Sequence, residues 1–422
     1  MAQSKILLGA LGAGLLAGCL IRMSHDASLV AVAAAVKPIA SLWLAALKMT
    51  LVPLIFAMVA GGICSFVTSR SGGRTLGLLF VAFAGLLTIG AGFGMAATWL
   101  ILRLWPVPEG SLAGLIAAPG PTPPLPGFAE QLIGFIPENP VAAAAAGQMA
   151  PLMIFALFFG IAAAGISQTR RATLLDLLQG VGETMMRMVH GILWFAPLGI
   201  FLLALGIGSE AGIAAAAALG QGVVICVLVM IGGIGLAYGF AALAGVDLRL
   251  FAAAAIGPQA MAAGTCSSMA TLPAMIEAAE TGMKIPPALA GTILPLTAST
   301  FRFGTAISGG VVCVFASTVA GIHPSAALYA MAALMIVLSN VGVAGLPAAA
   351  VLYAADAPAM QVVGAPLGFL PLWLAVIAIP DIFLTVCNVT ADLAVAAGTS
   401  RLIGRRTESG PAEIAGLRDI SG

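Results

Sequence analysis

Charge is the scarcest property of this sequence. Only 8% of its 422 residues are Asp, Glu, Lys or Arg, whereas an ordinary soluble domain has about 25%. The 17 basic and 16 acidic residues nearly cancel, so there is no basic surface to suit nucleic acid. Because 61% of the residues are hydrophobic, we expect an integral membrane protein.

Paired cysteines and catalytic signatures are also missing. The six cysteines stand singly in apolar runs, without a C-x-x-C spacing, and we interpret them as small hydrophobic residues. The sequence has no G-x-S-x-G, no H-E-x-x-H and no phosphate-binding glycine loop with its lysine. We therefore predict that the protein is not an enzyme and binds no cofactor.

Apolar runs long enough to cross a ~30 Å hydrocarbon layer as helices fill the first half of the chain. They lie at 5–24, 36–67, 74–105, 140–167, 182–209 and 212–244. After Asp247 the apolar stretches contain Gly, Pro, Ser and Thr breaks, at 264–273, 297–306 and 339–347, before a last helix predicted over 364–398. Broken helices in a membrane must be covered by protein or line a wet cavity, so we predict two re-entrant hairpins.

Basic residues give the orientation, because Lys and Arg concentrate on the cytoplasmic side. The loop 106–139 contains neither, whereas the loops that alternate with it do contain them: Arg70, Arg74, Arg170, Arg171, Arg249, Lys284, Arg401, Arg405 and Arg406. The resulting fold class is an all-α polytopic membrane protein with eight transmembrane helices and two re-entrant helical hairpins. Both termini are predicted to be cytoplasmic.

The last predicted helix carries a polar stripe. Asp381, Thr385, Asn388 and Asp392 are spaced 4, 3 and 4 apart, which places them on one helical face. A carboxylate in the bilayer needs a partner or water. Arg302, inside the broken segment 297–306, is the candidate partner, and a purely structural ion pair with either aspartate is one interpretation. The aspartates are about 16 Å apart along a helix, so the second one is left for a cation, a proton or a substrate ammonium.

Five stretches carry a resemblance to a known family. They are KMTLVPLIFAMVAGGI, SSMATLP, ILPLTASTFRFGTA, VAGLPAAA and DIFLTVCNVTADL. The sequence resembles the glutamate transporter family, the dicarboxylate/amino acid:cation symporters, over essentially its whole length. The resemblance implies a homotrimer in the lipid of the plasma (inner) membrane that works by an elevator mechanism. Residues 1–245 would be mostly scaffold, with spans 3 and 6 joining the transport domain, 246–398 the core transport domain, and 399–422 a cytoplasmic tail.

The same resemblance assigns substrate contacts. Asp381 would bind the substrate's amino group, Asn388 its α-carboxylate, and Thr305 its side chain. The other implied contacts come from the two hairpin tips, the stripe and the broken helix: Ser267, Ser268, Val343, Gly345, Thr385 and Arg302. Asp392 and Asn388 would be ion ligands, with Arg302 as a possible counter-ion.

Three departures from the family pattern matter. Leu384 stands where the family has the arginine that holds a side-chain carboxylate, and Cys266 stands where some relatives carry a compensating arginine. Phe301 and Phe303 replace the Asn and Asp of the seventh-helix motif, while Arg302 replaces its Met. Hard cations need oxygen ligands, so sodium coupling is expected to be weakened or lost.

The predicted function is therefore secondary active transport of a small amino acid, acidic (aspartate or glutamate) in the first interpretation. Arg302 acts as a built-in cation for Asp392, or alternatively holds the substrate's side-chain carboxylate. The coupling ion, proton or sodium, stays open, and no metal site is predicted with the residues present. The alternatives are a neutral amino acid or C4-dicarboxylate symporter or exchanger and, in another class, an anion channel.

Overall fold

A computed structural model describes residues 2–68, 73–107, 133, 136–342 and 352–408. Its described elements are helices, without a strand among them, as the apolar composition predicts. Contacts group the chain into two units. The first unit comprises Met1–Met230 and Thr305–Asp381, and the second comprises Ile231–Gly304 and Ile382–Gly422.

The first half of the chain forms seven described helices. They are α1 (Ala2–Ser24), α2 (Ala27–Thr68), α3 (Gly73–Leu104), α4 (Pro140–Ala145), α5 (Met149–Ala164), α6 (Gln168–Trp194) and α7 (Ala196–Leu243). Within the first unit α2 packs along α5 and α6. Phe56 of α2 stacks on Phe155 of α5 at 5.8 Å between ring centroids, so the contact is a packed aromatic interface.

The predicted boundary between the fifth and sixth spans is wrong. The spans 182–209 and 212–244 were expected, but the chain breaks at Phe195, and α7 then runs without interruption through 209–212. Pro197 explains the break, because it lies in the first turn of α7, where its missing N–H costs no helical hydrogen bond. The apolar sequence on both sides of 195 gives no hydropathy signal for it.

The second half contains the interrupted helices. Its elements are α8 (Leu248–Thr265), α9 (Ser268–Glu277) with a π-helical turn (Ala278–Gly282), α10 (Pro287–Thr300), α11 (Phe303–Val319), α12 (Ala326–Gly342), a second π-helical turn (Leu352–Asp356), α13 (Ala357–Val362), α14 (Phe369–Val376) and α15 (Ala378–Glu408). The last helix thus begins at Ala378 and not at 364, because a turn at Gly364 with φ +70° and the short helix α14 precede it.

The first predicted hairpin is a helix–turn–helix. Helices α8 and α9 pack together, and Gly282 at the end of the π turn lies against Ala254 near the start of α8, so the two arms are antiparallel. Four described helical segments are long and apolar enough to cross a membrane: Ala82–Leu104, Ala216–Leu243, Leu289–Val319 and Ala378–Arg401. The count of eight spans and the re-entrant position of the hairpins stay predictions.

Helix α3 and residues 305–319 of α11 both belong to the first unit, and they approach each other at glycines. A Cβ on Gly310 would lie 2.5 Å from the carbonyl oxygen of Ala91, and one on Gly94 would collide with the carbonyl of Ile307. The two backbones therefore touch with no side chain between them at these two points.

Candidate functional site

The break predicted within 297–306 is present between α10 and α11. Phe301 and Arg302 lie outside both helices, and the Phe301 N–H bonds to the Thr297 carbonyl at 2.7 Å. Phe301 and Phe303 are completely buried and stack at 6.0 Å, while Phe303 also packs edge-on against Phe240 at 5.4 Å. The two positions therefore add aromatic core where the family pattern has oxygen-bearing side chains.

Gly304 holds this break against α15. Its backbone N–H donates a 2.7 Å hydrogen bond to Oδ1 of Asn388. A Cβ on Gly304 would lie 2.5 Å from the Leu384 carbonyl oxygen and 3.1 Å from the Cys387 Cβ. The close approach is possible only because residue 304 is glycine, and it places Asn388 beside the break. The Asn388 Nδ2 has no hydrogen-bond partner among the described residues.

Asp392 lies one turn beyond Asn388. Its side chain is completely buried, and neither carboxylate oxygen has a hydrogen-bond partner among the described residues. Arg302 interacts electrostatically with Asp392, and the Thr297 side chain lies nearby with its hydroxyl directed to the Leu294 carbonyl at 3.1 Å. A guanidinium and a buried carboxylate are thus brought into the same part of the second unit.

Helix α15 contains the whole predicted stripe. Asp381 lies in its first turn and is half-buried, whereas Thr385 is 3% exposed and Asn388 1% exposed. Leu384, where the resemblance implies an arginine, is also buried. The helical spacing of the four polar residues is confirmed; their roles in binding stay predictions.

The tip of the first hairpin ends one helix and begins the next. Cys266 adopts the left-handed conformation, φ 49°, and ends α8, and Ser267 caps α9 by accepting a 3.2 Å bond from the Ala270 N–H. The Ser268 hydroxyl is buried without a partner among the described residues. The unused hydroxyl and the start of α9 together suit an anionic group.

The remaining predicted contacts are only partly described. Thr305 is 2% exposed, and its hydroxyl has no hydrogen-bond partner among the described residues. Val343 and Gly345, predicted at the tip of the second hairpin, fall outside the described residues. In the described part of the chain, no group of three or more His, Cys, Asp or Glu residues is arranged to hold a metal ion.

Sequence reasoning missed a second buried carboxylate, Asp356, at the end of the π turn Leu352–Asp356. It is 3% exposed, and its Oδ1 has no partner among the described residues. The available signal was a single acidic residue in the apolar stretch that follows the second predicted hairpin tip.

Helices long and apolar enough to span a membrane, a helix broken at its centre and buried ionisable groups are together typical of a polytopic membrane transport protein. Residues 4–402 match the sodium:dicarboxylate symporter family. The chain belongs to that family, as the resemblance implied.

Its curated relatives differ in the substrates that their names state. The chain is 30% identical to the Neutral amino acid transporter A of Homo sapiens over 274 residues, which are 63% of this chain and only 50% of the human protein. It is 29% identical to the C4-dicarboxylate transport protein of Rhodospirillum rubrum over 334 residues, 75% of this chain and 71% of that protein. It is 22% identical to the Proton/glutamate-aspartate symporter of Escherichia coli over 364 residues, 81% and 79% of the two chains.

Proposed function

We propose that the protein is a secondary active transporter of a small acidic amino acid, aspartate or glutamate, with sodium coupling weakened or lost. The observation that carries the proposal is the completely buried carboxylate of Asp392 on α15, which lies within electrostatic range of Arg302 in the helix break. A fixed guanidinium there supplies the positive charge that a bound cation would otherwise supply. Arg302 is then a counter-ion that belongs to the protein.

The neighbouring residues support a site without sodium. Sodium is a hard cation that needs several oxygen ligands. Phe301 and Phe303 provide none and are fully buried in ring contacts, while the Asn388 Oδ1 already accepts the Gly304 N–H. The coupling ion proposed in its place is the proton, which the name of the Escherichia coli relative also states for that protein.

The substrate assignment follows from charge complementarity. Asp381 is proposed to bind the substrate ammonium, and the free Nδ2 of Asn388, with the Ser268 hydroxyl and the N–H groups at the tip of the first hairpin, its α-carboxylate. Thr305 and Thr385 are proposed as further contacts. Retention of Asp381 argues against a plain dicarboxylate, which has no ammonium.

A second candidate substrate is a neutral amino acid. The buried Leu384 removes the arginine that the family pattern uses for a side-chain carboxylate, and the human relative is named a neutral amino acid transporter. The family resemblance supplies the rest of the proposal. Residues 1–245 are mostly scaffold, with spans 3 and 6 joining the transport domain, and 246–398 are the core transport domain, which moves as an elevator. The protein is proposed to be a homotrimer in the plasma membrane with cytoplasmic termini.

The test is uptake by the purified protein in proteoliposomes. Radiolabelled aspartate uptake is measured with an inward sodium gradient, with an inward proton gradient and with neither. We expect uptake in the proton arm that sodium does not increase. Sodium-driven aspartate uptake contradicts the built-in counter-ion, and alanine uptake without aspartate uptake favours the neutral substrate.

Two variants separate the possible roles of Arg302. Arg302→Gln removes the charge, and Arg302→Lys keeps it while losing the planar fork. As counter-ion to Asp392, Arg302 affects every substrate alike, so Gln lowers the maximal uptake of aspartate and alanine together. If Arg302 instead holds the substrate's second carboxylate, Arg302→Gln raises the KM for aspartate alone.

A further inference from the structure

The buried carboxylate Asp356 has no assigned role and lies outside the polar stripe. It stands at the N-terminal boundary of α13, where an aspartate ordinarily accepts a bond from the first N–H groups of the helix. Its side chain makes no such capping bond. A structural cap therefore does not account for this aspartate.

The Asp356 carboxylate is directed at α11. A Cβ on Gly309 would lie 3.0 Å from Asp356 Oδ1 and 3.0 Å from the end of the Ile336 side chain. The carboxylate thus occupies the space that a side chain at position 309 would fill. It lies against the helix whose N-terminal end forms the break with Arg302.

Two cysteine thiols are the described groups within electrostatic range of Asp356. Among the described side chains, Cys226 and Cys313, both fully buried, interact electrostatically with Asp356, and Ser308 hydrogen-bonds with the Cys226 thiol. Tyr329 of the adjacent α12 is paired with Ser317 at 3.0 Å. The elements that contact the π turn are α2, α12, α13 and α14, and the ionisable residues in their sequences are Lys37, Lys48, Cys64 and Tyr329, with Tyr353 in the turn itself.

A proton is the ligand that suits this environment. Ionised carboxylates are costly to bury unless a cation compensates them, and protonation converts the group to a neutral acid that can also donate a hydrogen bond. Asp392 differs, because Arg302 interacts with it. Among the described residues, the groups that act on Asp356 are thiols, and binding H⁺ removes its negative charge.

We propose that Asp356 is the proton-carrying residue of the transport cycle. Its carboxylate binds one H⁺ on one side of the membrane to form the neutral acid, the loaded protein reorients, and the acid releases H⁺ on the other side. No other bond forms or breaks. The proposal rests on the proposed function as a secondary transporter, but it does not depend on which amino acid is carried.

The experiment uses proteoliposomes loaded with a pH-sensitive dye and compares the wild type with Asp356→Asn, a neutral isostere. Substrate-coupled proton influx and substrate exchange are measured in parallel with aspartate, alanine and succinate. We expect Asp356→Asn to exchange substrate but to show proton influx no greater than empty vesicles. Proton influx equal to that of the wild type overturns the proposal.

The same experiment separates this proposal from the proposed function. A wild type that carries protons with alanine and not with aspartate overturns the assignment of an acidic substrate. The proton-carrying role of Asp356 is then tested by Asp356→Asn with alanine as substrate. A wild type that transports substrate without moving protons overturns the role of Asp356 and the proposed proton coupling, but leaves the substrate assignment standing. A wild type that moves none of the three substrates overturns both.

Two further variants keep the result interpretable. Ser339→Ala changes another buried polar side chain of the first unit, 1% exposed, and is expected to retain proton coupling. If Asp356→Asn does not elute from size-exclusion chromatography as a folded protein, Asp356→Glu tests the proposal instead, because it keeps a titrating carboxyl group in altered surroundings. We expect the pH dependence of its uptake to be displaced from that of the wild type; a superimposable profile overturns the proposal.

Discussion

The Gly304 N–H and the Asn388 Oδ1 are joined by a buried 2.7 Å hydrogen bond, which fixes the helix break to the polar stripe of α15. The two polar atoms of the Asn388 amide are thus used differently. Oδ1 satisfies the backbone, and Nδ2 has no partner among the described residues. We therefore predict that substitutions of Asn388 can separate its role in folding from its proposed contact with substrate.

Substitutions of Asn388 test that separation. Asn388→Ala leaves the buried Gly304 N–H without its acceptor, so we expect a loss of about 1–3 kcal/mol in stability. Asn388→Asp keeps the acceptor and is expected to have a higher thermal midpoint than the Ala variant. Neither variant should bind substrate, because the Nδ2 donor is gone in both. Thermal unfolding in detergent and equilibrium binding provide the two readouts, and binding by Asn388→Asp would refute the assignment.

Gly304→Ala is expected to destabilise the protein and abolish transport. The added Cβ would lie 2.5 Å from the Leu384 carbonyl oxygen, which is backbone and cannot move aside cheaply. Overpacking of this kind costs about 1–3 kcal/mol. Gly291→Ala in α10 is the matched control, since nothing lies within 4 Å of its Cβ position. Equal thermal midpoints for the two variants would show that the close approach at 304 is not required.

The pairing of Arg302 with Asp392 is tested by a double-mutant cycle. Arg302→Gln leaves the buried charge of Asp392 uncompensated, and we expect it to cost about 3–5 kcal/mol, whereas Asp392→Asn leaves the half-buried Arg302 and should cost less. The double variant should be less destabilised than the sum of the two, with a coupling of about 0.5–3 kcal/mol. Unfolding midpoints of the four proteins give the cycle. Additive losses would indicate that the two groups act independently.

Leu384→Arg should shift selectivity toward acidic substrates. Residue 384 is one turn after Asp381 on α15, and a guanidinium there can pair with a second carboxylate of the substrate. A charged hydrogen bond of about 1.5–3 kcal/mol corresponds to a change of roughly 10–150-fold in affinity. Competition of aspartate against alanine in uptake measures the ratio, with Leu384→Met as the size-matched control. An unchanged ratio would place the substrate's side chain away from this position.

The sequence predicted the features that periodicity and composition determine. The broken segment at Phe301 and Arg302 and the stripe of α15 were both visible, because a polar residue in an apolar run stands out and helical spacing is regular. The break at Phe195 was not, since the residues around it are apolar and only Pro197 differs. Asp356 was missed because its neutral surroundings come from Gly309, Cys226 and Cys313, which are far from it in the chain.

The glycine contacts between α3 and α11 also indicate where a label could report movement of α11. Because the two backbones touch at Gly94 and Gly310, a spectroscopic label on the exposed side of α3, for instance at Ile89, reports the displacement of α11 without touching the site. Four of the native cysteines, Cys64, Cys226, Cys313 and Cys387, are fully buried and resist labelling reagents. Of the six cysteines, the partly exposed Cys19 and Cys266 need replacement before distances between labels are recorded.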